Sequence, residues 1–418
     1  MKTNLFSLLF TCGMLMLQPA SHAQGDGVER ALIQDFWMAA SAEAQTLEIE
    51  RLNAADVSVQ SLFALLKRGP VFPSDAPRGL LENHRVAADG TVFPYVLLVP
   101  DAYTPAQSWP VEFNLHGGIS RPYPAPGETW WRQGYEALQE EDRIVVVPAA
   151  WHEAFWWFDN QADNLPAILR RIKQAYRVDD NRVTLSGVSD GGTGAYFFAF
   201  LQATEWAAFM PYIGHPAVLR NPAARATHSL SFENLKSKPL YIVNGENDPL
   251  YPATAVQSYV DLMVRAGVEH VFRIIPEGGH NTRWLPAERP AIERFRQNSV
   301  RDPLPDQIEW VTNRTDRYNR NHWLRIDSLQ TEGQPGRVIV ARQDNTFEVT
   351  AFGVRRFTLL LNPEELDMSR AITVRINGTE VFQDVVPERK ETLLQWATQD
   401  RDRSMLFTAE LSLQVPAQ

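Results

Sequence analysis

From about Asn83 to residue 300 the chain alternates between two periods. Short apolar runs rich in β-branched residues occur at Val92–Val99, Val111–Leu115, Arg143–Val147, Arg182–Leu185, Phe209–Ile213, Leu240–Val243 and Val271–Ile275. Between the later runs lie segments with apolar residues at helical spacing. These are Asn164–Tyr176, with Leu165, Ile168, Leu169 and Ile172 on one face, then Gly192–Leu201, Ala253–Arg265 and Ala287–Arg296. Short, largely apolar runs suit strands buried on both faces, and their alternation with helices predicts a mostly parallel sheet covered on both sides. The expected class is α/β.

The flanks read differently. Residues 26–69 show helical spacing in Ala31–Met38 and Leu62–Leu66, and the stretch Pro70–Pro77 breaks it. After Pro303 strand-like runs follow one another without helices: Gln307–Val311, Trp323–Ile326, Arg337–Ala341, Thr346–Ala351, Phe357–Leu361, Ala371–Ile376 and Leu406–Leu413. Asn377-Gly378 is a tight-turn signal at the end of one of them. The expected organisation is an N-terminal leader (1–23), a helical segment (24–82), an α/β domain (83–304) and a small C-terminal β-sandwich (305–418). Trp323 and Trp396 are expected in its core or at an interface, and Asp400–Ser404 as a solvated turn.

Composition adds compartment and partners. Lys2, the apolar stretch Leu5–Leu17 and the small-x-small sequence Ser21-His22-Ala23 read as a cleaved secretory signal. Its removal takes away one lysine and no acid, so the formal charge moves from −10 to −11. That balance argues against nucleic acid and anionic membrane as main partners. The single cysteine, Cys12, falls inside the leader, so the mature chain has neither disulfides nor thiolate-based zinc sites. A periplasmic or secreted bacterial protein without a membrane anchor is expected.

The chemistry concentrates in Gly187-Val188-Ser189-Asp190-Gly191, between the apolar run Val183-Thr184-Leu185 and a helix. A serine on a tight strand-to-helix turn projects its hydroxyl above the sheet, and flanking glycines relieve the crowding. Such a hydroxyl needs a base, and the base an orienting carboxylate, here expected in the chain order serine, acid, histidine. Leu240–Val243 runs into Asn244-Gly245-Glu246-Asn247-Asp248-Pro249, and Val271–Ile275 into Pro276-Glu277-Gly278-Gly279-His280. Both loops follow strand ends, on the sheet edge that carries the serine. The expected triad is Ser189, Asp248 and His280, with Glu246 as the competing acid. Oxyanion donors are expected from the amide of Asp190 and from Gly118 or Ile119 in the loop His116-Gly117-Gly118-Ile119. His116 itself is expected to be structural.

On these motifs, residues 90–300 resemble the α/β-hydrolase superfamily: the elbow, the His-Gly-Gly loop, the acid and the histidine match it in order. Within it the chain is similar to secreted bacterial esterases of the polyhydroxybutyrate-depolymerase-like and feruloyl-esterase-like branches, and to prolyl-oligopeptidase-like catalytic domains. The resemblance implies a serine hydrolase with no metal or organic cofactor. The chain departs from these relatives in lacking a β-propeller-sized segment and a cysteine pair, and in its β-rich tail.

Substrate contacts are less defined. Trp151, Trp156 and Trp157 follow a strand end, so they either stack on a sugar or phenolic group or seal the core beneath the loop. The first alternative favours an ester-bearing plant polysaccharide. Gly214–Thr227, containing His215, is a candidate lid. Carboxylic-ester hydrolysis is the leading expectation. A peptidase using the same triad, and an inactive surface-binding protein, are the alternatives.

Overall fold

The computed structural model describes residues 31–135, 140 and 142–416, so the leader expected at 1–23 lies outside the described residues. Helices α1 (residues 31–38), α2 (Ala42–Ala54) and α3 (Val59–Arg68) come first. An antiparallel hairpin of β1 (Gly79–Val86) and β2 (Val92–Val99) then leads into β3 (Trp109–Leu115) and β4 (Ile144–Pro148). Next come α4 (Asp159–Ala175), β5 (Val178–Val188), α5 (Asp190–Leu201), β6 (Ala208–Tyr212), β7 (Leu240–Gly245), α6 (Ala253–Ala266), β8 (His270–Ile275) and α7 (Leu285–Asn298).

These strands form one eight-stranded sheet in the order β1-β2-β4-β3-β5-β6-β7-β8. β2 pairs antiparallel with β4, and every later neighbour is parallel. The fold is the expected α/β-hydrolase architecture. β4 and β6 are buried at every position, which is why their sequences show no polar alternation. β1 alternates half-buried and exposed positions along its length, as an edge strand does, and so carries only a weak apolar signal in the sequence.

The tail is a sandwich of two sheets. β10 (Arg320–Asn321), β11 (Leu324–Leu329), β14 (Val354–Leu361) and β17 (Ala409–Gln414) make one. The other holds β16 (Thr379–Asp384), β15 (Ile372–Ile376), β13 (Thr346–Phe352), β12 (Gly336–Gln343) and β9 (Gln307–Thr312). Trp323 packs on Phe347 across the sandwich at 5.6 Å, and Asn377-Gly378 turns β15 into β16 with both residues at positive φ.

Two features of the tail differ from expectation. Lys390–Asp400 is a helix, α8, whose Leu393, Leu394 and Ala397 share a core with Ile33, Phe36, Trp37, Leu52, Leu62 and Leu66. The N-terminal helices thus pack on the tail, and Arg401 locks them there by donating to the carbonyls of Phe36 and Ala39. Asp400–Ser404 is not a solvated turn either. Asp402 is buried and accepts from Arg301 at 2.6 Å, with Lys173 3.8 Å away. A charged run so placed follows from ion pairing across the domain junction, which no local pattern encodes.

Hydrogen bonds tie the junction together. The Asn234 side chain donates to the carbonyls of Phe200 and Val311 and accepts from the Val311 amide. α5 is apolar all round because it is covered on its outer side as well, with Phe197 against Tyr318 at 5.8 Å.

Candidate active site

Ser189 sits between β5 and α5 with φ 57° and ψ −117°, a strained conformation for a side-chain-bearing residue. Close packing of backbone around it explains the glycines. A Cβ on Gly187 would lie 2.1 Å from the Gly191 carbonyl oxygen, and one on Gly191 would lie 2.0 Å from that of Leu115. The amide of Ser189 donates to Tyr212 at 2.9 Å, anchoring the turn to β6.

The other two groups arrive on loops at the ends of β7 and β8. Ser189 Oγ is 2.8 Å from His280 Nε2, and His280 Nδ1 is 2.8 Å from Asp248 Oδ2. The second oxygen of Asp248 accepts the amides of Leu250 and Tyr251 at 2.8 and 2.9 Å. The buried carboxylate is thus held by two backbone donors and aimed at Nδ1, which fixes the ring proton there and leaves Nε2 to face the hydroxyl. Glu246, the competing acid, does not reach the histidine. It accepts the Glu277 amide at 2.9 Å and ties the two loops together. Further bonds from the amides of Glu246 and Asn247 to Ile275 and Gly278 make the pair of loops one unit.

The His-Gly-Gly loop touches the serine directly, since a Cβ on Gly117 would lie 2.9 Å from that of Ser189. Gly118 follows with φ 66°, in the left-handed region that glycine adopts without strain. Ile119 corrects one expectation. Its amide is already engaged, donating to Asp190 Oδ2 at 3.1 Å, so of the two loop candidates Gly118 is the one whose N–H is left to meet a substrate oxygen. The Asp190 amide lies in the first turn of α5, where N–H groups have no partner within the helix. His116 is buried and tethers the loop from below. Its Nε2 accepts the Ala150 amide at 3.0 Å, Nδ1 faces the Gly117 carbonyl at 2.9 Å, and burial lowers its pKa to about 4.

The three tryptophans expected near substrate are not available for stacking. Trp151, Trp156 and Trp157 are 2%, 0% and 3% exposed. Trp156 donates to the His116 carbonyl and Trp157 to that of Ala224, so each ring seals the protein under a loop. An apolar surface of indole size is worth more inside than a loop-end position suggested. Trp151 does carry the half-exposed Tyr123 edge-on at 5.0 Å. In the Gly214–Thr227 stretch, two short 3-10 turns follow His215, a buried residue against Tyr251 and Tyr259. Tyr251 in turn packs on His280 at 5.8 Å, a contact with no signal in the local pattern of residues.

Among the described residues no group of three or more His, Cys, Asp or Glu is placed to hold a metal. None of their helices is long and apolar enough to cross a membrane.

Comparison with solved structures returns a thermostable esterase at 20% identity, covering 53% of this chain and 63% of that one with a TM-score of 0.42. A ferulic acid esterase matches at 18% identity over 52% of this chain and 97% of its own, TM-score 0.43. The acylaminoacyl peptidase of Pyrococcus horikoshii matches at 14% identity over 54% and 43%, TM-score 0.44. The chain therefore spans less than two thirds of the thermostable esterase and under half of the peptidase. No curated protein matches the sequence. The profile of the dienelactone hydrolase family covers residues 78–289, from the first strand of the sheet to the helix beyond the histidine loop, and the chain is a hydrolase belonging to that family.

Proposed function

We propose that the protein hydrolyses carboxylic esters through an acyl-enzyme on Ser189. The observation that carries the proposal is the unbroken chain from Ser189 Oγ through His280 to Asp248, with both contacts at 2.8 Å. As Oγ attacks the ester carbonyl, Nε2 takes its proton, and Asp248 stabilises the imidazolium so formed. The amides of Asp190 and Gly118 receive the negative charge on the carbonyl oxygen, each such donor typically contributing ~3 kcal/mol. His280 then protonates the leaving alkoxide, and the same histidine activates water to release the acid. The positive end of α5 points at the reaction centre and favours the oxyanion further.

With the three tryptophans in the core, none of them offers a stacking face to a plant polysaccharide, and the substrate proposed is an ester without a required sugar platform. A peptidase shares the triad, so whether the leaving group is an alcohol or an amine is decided by assay. The reading of residues 1–23 as a cleaved secretory signal supports a mature protein in the periplasm or outside the cell.

The test pairs Ser189→Ala with wild type on short p-nitrophenyl esters, a peptide-amide panel and a fluorophosphonate probe. Ester turnover and probe labelling are expected in wild type and absent in the variant. Preference for amides would reassign the substrate class. Ester turnover surviving near wild-type level in Ser189→Ala would overturn the mechanism.

A further inference from the structure

At the edge of the eight-stranded sheet opposite Ser189 lies a cavity of about 670 Å³. It opens where Ala207, Lys238 and Glu269 lead into β6, β7 and β8, and the start of the tail closes its other side. The six residues of β7 separate it from the Asp248 loop by roughly 20 Å, so it is no extension of the catalytic cleft.

Lys238 lines this cavity and is 4% exposed. Its Nζ lies 3.1 Å from Nε2 of His322, itself 1% exposed. His322 Nδ1 is 2.6 Å from Asn321 Oδ1, which places the ring proton on Nδ1 and leaves Nε2 to accept from the lysine. One of the three N–H bonds of the ammonium is then used, and no carboxylate pairs with it among the described residues. Of the acids nearby, the half-buried Glu205 makes no ion pair with the lysine, and the others are committed or exposed. Asp402 holds Arg301, Glu309 holds Lys236 at 3.0 Å, and Asp302 and Glu269 are exposed at the rim. The fold does otherwise for Lys173, whose side chain is 7% exposed and pairs with Asp180 at 2.8 Å. Burial and the neighbouring Arg301 accordingly hold the Lys238 amine well below the usual lysine range.

A buried amine with spare donors, in a cavity large enough for a small molecule, is an arrangement that an anion completes. We propose that the cavity binds a small organic carboxylate, its charged end on Lys238 and its apolar part against Pro239, Phe295 and Ile308. Of the basic groups lining the cavity, Lys236 and Arg301 are already paired with Glu309 and Asp402. One remaining lysine facing exposed acids at the rim suits a monoanion rather than a phosphate dianion, and the apolar wall suits a hydrocarbon body.

The test uses full-length Ser189→Ala protein, titrated calorimetrically with sodium benzoate and sodium octanoate, with benzamide as the uncharged control. At least one carboxylate is expected to bind with one-to-one stoichiometry, and benzamide at least tenfold more weakly. Adding Lys238→Met should weaken that carboxylate at least tenfold. Ser237→Trp, which fills the cavity from its wall and leaves the amine in place, should do the same and serves if the methionine variant does not fold. Absence of binding by both carboxylates at millimolar concentration overturns the proposal. So does equal binding of benzamide, or carboxylate affinity retained in either variant.

Discussion

Asp190 occupies the position directly after the nucleophile, and its side chain reaches across to the other half of the proposed oxyanion site. Its Oδ2 accepts the Ile119 amide at 3.1 Å, next to the Gly118 amide proposed to bind the oxyanion. Asp190→Ala removes that acceptor and leaves the amide of a residue 1% exposed without a partner, a loss of about 1–3 kcal/mol. Part of that loss is expressed as movement of the loop. A donor displaced from the oxyanion forfeits up to ~3 kcal/mol of transition-state stabilisation, or roughly 100-fold in rate. We therefore expect kcat to fall 10- to 100-fold in Asp190→Ala with KM changed less than about threefold, because the interaction is made in the transition state. Asp190→Asn keeps an oxygen for the Ile119 amide while removing the charge, and should stay within about fivefold of wild type. The assay is steady-state hydrolysis of p-nitrophenyl acetate by the three proteins, with thermal unfolding to confirm the fold. Wild-type kcat in the alanine variant, or equal losses in alanine and asparagine, would refute the positioning role.

Asp248→Asn leaves one oxygen for the Leu250 and Tyr251 amides but turns an NH2 group on the histidine, so kcat should drop on the order of 10⁴-fold with little change in Tm; steady-state kinetics and a melting curve check both halves. Gly191→Ala forces a Cβ to within 2.0 Å of the Leu115 carbonyl and should cost more than about 3 kcal/mol or abolish soluble expression, read by urea unfolding. His116 has a pKa of about 4 in the fold against about 6.5 when unfolded, so the unfolded chain binds the extra proton between those values. Its contribution is intact above pH 6.5 and is lost as pH falls towards 4, by up to roughly 3 kcal/mol; His116→Gln should flatten that part of the stability profile in chemical denaturation. Asp402→Asn, which strips the charge from the buried Arg301 pair, is expected to destabilise by about 3–5 kcal/mol, measurable as a lower unfolding midpoint.

The sequence alone determined the α/β class, the alternation of strands and helices in the central domain, and the three candidate positions Ser189, Asp248 and His280 that the fold brings together. It could do so because each is written locally. A buried strand is an apolar run such as Ile144–Pro148, an elbow is glycine around serine, and acid and histidine follow strand ends in a fixed order. Tertiary structure decided what depends on neighbours distant in the chain. It put Trp156 under the His116 loop instead of in a cleft, engaged the Ile119 amide with Asp190, and set α8 against the N-terminal helices. It also buried Asp402 beside Arg301. Periodicity reports whether a residue has an inside to face. Which inside, and which polar partner makes burial of a charge or an amide tolerable, is settled only when separate elements pack together.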